Sequence, residues 1–175
     1  MSVRKVEVVM DTGHWKEDFK AEAAELGILF GDLIEAVEHI GSTAIPGINA
    51  KPVIDIMLIV KDIEAVDGFD EQMIELGYEP KGEFGLPGRR FFMKGGNSRT
   101  HHIHSYEKGH EDIVRHIAFR DYMIQHPEEA QAYSQLKADL AEKYPENMDK
   151  YIDGKNDYIK RVEKLALEWY WENNK

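Results

Sequence analysis

Three stretches of the chain carry side chains able to do chemistry. The first runs HIGSTAIPGINAKPVIDIMLIV, residues 39–60. Its Gly41-Ser42 pair suits a phosphate, because glycine lets the backbone come close and a hydroxyl with neighbouring N–H groups binds oxygen. Asp55 follows after twelve residues, inside an aliphatic run. A carboxylate there is expensive unless it meets a cation, and a metal ion is the obvious one. The second stretch is Thr100-His101-His102-Ile103-His104. Four of the eight histidines of the chain fall between His101 and His110. On a strand, His102 and His104 share a face, placed to bind one metal together with Asp55. The plainer alternative is strand histidines that hydrogen-bond locally. The third set is basic: Lys51, Arg89, Arg90 and Lys94. Lys51 lies between the Gly-Ser turn and Asp55, where it can neutralise a phosphate or stand as a solvated loop lysine. Arg89 and Arg90 point to opposite faces, so at most one of them reaches a given site. Arg120 and Lys155 can close over a ligand, but inter-helix or surface ion pairs are the plainer reading. Tyr133, Trp169 and Trp171 read as core or surface aromatics.

Composition narrows the chemistry. No cysteine is present, which removes disulfides, thiolate nucleophiles and cysteine-bound zinc. The net charge is −11, which argues against a general nucleic-acid binder. From Lys81 to Lys108, however, six Lys or Arg meet only two acids, a net +4, leaving −15 on the rest. A basic island in an acidic chain suits a small anionic ligand, such as a nucleoside triphosphate, better than a long polyanion. A solvated hairpin with long basic side chains explains the same residues. The sequence holds no run of eighteen apolar residues and no secretory pattern at MSVRKVEVVMD, so a cytoplasmic protein without a membrane partner is the expectation.

These residues need elements to hold them. A short strand is expected at Lys5–Met10, and a helix from Trp15 to about Leu29, where Trp15, Phe19, Ala23 and Leu26 recur at helical spacing. Strands are expected at Ile34–Ile40 and Val53–Val60, with a turn or one helical turn between them. Asp62 caps a helix carrying Ile63, Val66, Met73, Ile74 and Leu76, ended by Gly77. Tyr78–Gly82, Arg89–Lys94 and Arg99–Tyr106 read as antiparallel strands, the last two joined by GGNS. Helices then cover about His110–Gln125, a second opened by Pro127, and about Met148–Trp171. The fold class is α+β: a mixed β-sheet core over about 1–108 and a helical C-terminal half over about 109–175, in one domain of 1–175.

A Gly-Ser turn, about a dozen residues, then a carboxylate on an apolar strand resembles the signature of the nucleotidyltransferase superfamily. More closely, HIGSTAIPGINAKPVIDI, PGRRFF, RTHHIH and HIAFRDYMIQHP, in that order, resemble the GrpB family over about Val8 to Leu167. That family also occurs fused to some dephospho-CoA kinases. The resemblance implies a nucleotidyltransferase-like core, with Gly41 and Ser42 on phosphate and Asp55 on a divalent metal. The superfamily usually has a second carboxylate two residues on, and here that position is Met57. Later acids are replaced by His102 and His104. Such a set suits Mn²⁺, Zn²⁺ or Ni²⁺ better than Mg²⁺. The leading expectation is a metal-dependent transfer of a nucleoside monophosphate. Asp55, His102 and His104 would act on the metal, and Gly41, Ser42, Lys51, Arg89, Arg90 and Lys94 would supply the phosphate contacts. The alternatives are a non-catalytic nucleotide- or CoA-type ligand-binding module and a metal-dependent phosphoester hydrolase.

Overall fold

The computed structural model describes residues 6–174. Five strands form a mixed sheet in the order β1-β2-β5-β4-β3. They are β1 (Ile34–Ile40), β2 (Ile54–Val60), β3 (Tyr78–Pro80), β4 (Arg89–Lys94) and β5 (His101–Glu107). The β1/β2, β3/β4 and β4/β5 pairs are antiparallel, and β2/β5 is parallel. Parallel neighbours need a crossover. Here it runs through α2 (Ile63–Val66), α3 (Asp70–Glu75) and the β3–β4 hairpin.

The expected helix over Ile63–Leu76 is two short helices joined by one 3₁₀ turn, Asp67–Phe69. Gly68 stands in the joint, where its backbone freedom disfavours a continuous helix. Asp62 does cap its start, accepting from the Glu64 N–H. The strand expected at Lys5–Met10 is reduced to one bridge, Val9 to Ala50, among the described residues, and Lys5 lies outside them.

The sheet has two covered faces. Ile54, Ile56, Leu58 and Ile103 point to one of them. There they meet α1 (His14–Phe30), through Leu26 and Phe30, and Val66 and Met73 of the crossover. The other face carries Ile40, Met57 and Tyr106, which pack against Ile113 and Ile117 of α4 (Glu111–Gln125). Alternation along a strand assigns these sides. Burial on both faces explains why β2 reads as a continuous aliphatic run.

Behind α4 lie α5 (Pro127–Lys143) and α6 (Met148–Asn173). The loop after β1 anchors them. Ile45 and Ile48 are buried among Met123, Ala130, Tyr133 and Val162. The Asn49 N–H donates to Ser134 Oγ at 2.7 Å. The segment linking β1 to β2 therefore fixes the helical half against one end of the sheet. Among the described residues, no helix is long and apolar enough to cross a membrane.

Candidate functional site

The register of the sheet puts Asp55 opposite Ile40 on one side and beside His102 on the other. All three chemistry-bearing residues of the central strands therefore lie at one end of the face that the C-terminal helices cover. Asp55 Oδ1 is 3.5 Å from His102 Nδ1 and 3.2 Å from His104 Nε2. Burial raises the pKa of Asp55, but the hydrogen bonds and charge of the two imidazoles outweigh it and hold it well below the usual carboxylate range.

Gly41 follows β1 at φ +72°, a conformation that side chains other than glycine rarely adopt. A Cβ built there would lie 2.7 Å from Asp55 Oδ2. Glycine is thus required at 41 by the carboxylate as well as by the turn. Ser42 starts a single 3₁₀ turn, Ser42–Ala44. Its hydroxyl donates to Tyr133 Oη at 3.4 Å.

Beyond this turn opens a cleft of about 200 Å³, walled by Gly41, Ser42, Lys51, Asp55 and His102 from the sheet side. Tyr133 and Lys137 of α5 and Tyr151 and Lys155 of α6 close it from the helical side. Each helix contributes a tyrosine and a lysine four residues later, on one helical face. Lys137 Nζ lies 4.3 Å from the centre of the Tyr133 ring. Lys155 and Lys51 Nζ lie 5.0 and 5.5 Å from that of Tyr151. Lys137 is 1% exposed, and its Nζ has no hydrogen-bond partner among the described residues. Burial, with the charges of Lys155 and Lys51 added, pushes its pKa down to about 6. Lys155 is pushed down to about 8, again by burial first and Lys51 second, against the pull of Asp55.

Not every expected residue arrives here. Arg90 and Lys94 point to the opposite face of the sheet, which corrects their expected phosphate role. Arg90 pairs with Asp67 at 2.7 Å, and Lys94 pairs with Glu22 at 2.9 Å. Arg89 shares the face of Asp55 but sits at the far end of the strand, opposite Tyr106. Its guanidinium is held by the carbonyls of Glu83 and Phe84. Three residues of the basic island are thus held away from the site, Arg90 and Lys94 by acids from distant elements and Arg89 by loop carbonyls. Arg120 pairs with Glu38 and Asp121, both at 2.8 Å. Lys155 lines the cleft and joins no ion pair among the described residues. Tyr133 is more than a core aromatic, since its hydroxyl meets Ser42. Lys137 and Tyr151 are new to the site; the repeated Tyr-x-x-x-Lys spacing in YSQLK and YIDGK is the signal that points to them.

The donor set fits a metal ion poorly. Both imidazoles address one oxygen of Asp55, and Met57, fully buried, stands where a second carboxylate would be. Among the described residues, no group of three or more His, Asp or Glu is arranged to hold a metal.

The sheet and its helical cap define the nucleotidyltransferase-like fold. The poly(U) polymerase Cid1, solved with the UTP analogue UMPNPP, superposes with a TM-score of 0.51 at 15% identity, over 77% of this chain and 43% of that one. The chain belongs to the GrpB family: the family described as GrpB protein matches residues 5–165. The crystal structure of the conserved protein GrpB from Enterococcus faecalis superposes with a TM-score of 0.91 at 43% identity, covering 94% of this chain and 99% of that one. The UPF0157 protein YqkA of Bacillus subtilis is 50% identical over 95% of this chain. This chain spans 48% of the length of YqkA.

Proposed function

We propose that the chain binds a nucleoside triphosphate, with the phosphate chain in the cleft between the sheet and the last two helices. The observation that carries this reading is Lys137, an amine buried without a hydrogen-bond partner among the described residues and facing a cleft it shares with two further lysines. A buried cation without a counter-charge is costly, so burial favours the neutral amine of Lys137, and an anion between the three lysines offsets that cost and lets it regain its proton. Gly41 and Ser42 add backbone and hydroxyl donors on the opposite wall. The cleft, about 200 Å³, is smaller than the ~300 Å³ at which small-molecule sites begin. It therefore takes phosphates, and the nucleoside lies at its mouth. The fold supports a nucleotide over other polyphosphates, because Cid1 has been solved with a UTP analogue on the same fold.

Nucleotidyl transfer is a second reading, favoured by the opening of Asp55 into the same cleft as Ser42, Lys51 and Lys155. The oxygen of an acceptor hydroxyl would bond to the α-phosphorus while the bond from that phosphorus to the pyrophosphate oxygen breaks; pyrophosphate leaves and the hydroxyl proton passes to solvent. Calorimetric titration with ATP, CTP, UTP and coenzyme A, with and without Mg²⁺, Mn²⁺ or Zn²⁺, tests binding. Pyrophosphate release tests transfer. Triphosphate binding that weakens about tenfold or more in Lys137→Met and Lys51→Met is the expected result. Absence of triphosphate binding, or affinity unchanged in both variants, overturns the reading.

A further inference from the structure

The opposite side of the Ser42–Ala44 turn borders a larger cavity of about 590 Å³, within the ~300–1,000 Å³ of small-molecule sites. It wraps the free edge of β1. Trp15, Phe19, Val37 and His39 wall it from the α1 side, and Ile124 closes it from α4. The rings of Phe19 and His39 stack at 4.7 Å with 12° between their planes, giving a flat wall. Most polar groups around it are already engaged: the Asp11 carboxylate accepts from the Gly13 and Gly47 N–H groups at 2.7 and 2.9 Å, and Lys20 pairs with Glu17. His39 Nε2 bonds Thr43 Oγ1 at 2.8 Å. Arg120 is held by Glu38, Asp121 and the His39 carbonyl. Lys16 is different: it stands on the rim, exposed, and pairs with no acid among the described residues. A roomy, mostly apolar cavity with a flat aromatic wall and one unmatched cation selects a definite kind of molecule.

We propose that this cavity is a second ligand site, for a small molecule with a flat aromatic body and one negative charge. The body lies between the Phe19–His39 wall and Ile124, and the charge meets Lys16. Thr43 lines both this cavity and the lysine cleft, so the two ligands would sit on either side of one turn. The proposal does not depend on nucleotide binding.

Anilinonaphthalene sulfonate, an aromatic monoanion, is the probe. Its fluorescence should rise on binding one equivalent to the folded chain. Ile124 is 39% exposed, so Ile124→Trp can fill the mouth without disturbing the core. That variant should weaken dye binding about tenfold, and Lys16→Glu should weaken it roughly threefold. Should Ile124→Trp not fold, Val37→Phe fills the cavity from the strand instead. Lys137→Met should leave dye affinity unchanged even where it abolishes triphosphate binding, so the two sites can fail separately. No dye binding, or an affinity that neither the filled variant nor Lys16→Glu alters, overturns the proposal. The second result would place the dye elsewhere, for instance at the exposed Trp171.

Discussion

Asp55 and Lys137 face each other across one cleft with opposite electrostatic problems. Asp55 has its carboxylate held by His102 and His104, and its low pKa records that contact. The unfolded chain takes up the proton of Asp55 near pH ~4, earlier than the folded chain does. This carboxylate therefore contributes stability above that pH, and the contribution is lost as pH falls further. Asp55→Asn should cost roughly 1.5–3 kcal/mol, the range for hydrogen bonds to a charged group. Urea titration at pH 7 and pH 3 checks this, and the deficit should shrink at the lower pH. Lys137 is the reverse case. Unfolded, it keeps its proton to about pH 10.5, whereas folded it releases it near pH 6. Between those values the unfolded chain binds more protons, so this group makes stability rise with pH. Lys137→Met should flatten that rise and stabilise the ligand-free protein at pH 7 by roughly 1–3 kcal/mol. Melting temperature followed from pH 6 to 9 in both proteins reads the difference.

At the scale of elements, what was legible followed local rules. Ile34–Ile40 and Arg89–Lys94 are strands with the expected limits, because apolar runs and turn residues bound them tightly. The Asp55–His102–His104 grouping was also legible, since alternation fixes which strand residues share a face. The neighbouring of their strands follows from requiring the three side chains to share one site, and the β2/β5 pair meets that requirement, although no local pattern encodes the crossover between them. The basic island misled for a similar reason. The acids that pair with Arg90 and Lys94 are Asp67 and Glu22, distant in sequence. Lys137 was invisible because a lysine on an amphipathic helix reads as solvated until another helix covers it. Close approach of α5 and α6 buries it, and Gly154 permits that approach. A Cβ at 154 would lie 2.5 Å from Leu140 Cδ2. Gly154→Val should therefore force Leu140 to shift within the α5–α6 contact and destabilise the fold by about 1–3 kcal/mol. Triphosphate affinity should fall with it, while circular dichroism shows the helices retained.

For the molecule as a whole, the cleft exists because two halves meet. The sheet presents Gly41, Ser42, Lys51 and Asp55, and the helical half presents Lys137 and Lys155. The chain that carries these three lysines has a net charge of −11. They must attract an anion by close contact, since the long-range field of the chain repels one. The rings of Tyr133 and Tyr151 lie beneath the lysine nitrogens, so these side chains are placed before any ligand arrives, which lowers the entropy lost on binding. Phosphate entering the cleft should return Lys137 to its charged form, because an anion nearby raises the pKa of an amine. Binding is then coupled to a proton. The decisive measurement is calorimetric titration of a nucleoside triphosphate at pH 7.5 in buffers of differing ionisation enthalpy. Net uptake approaching one proton per triphosphate, absent in Lys137→Met, is the predicted result. Triphosphate binding with no proton uptake in the wild-type protein, or with the same uptake in the variant, would contradict a phosphate site built on Lys137.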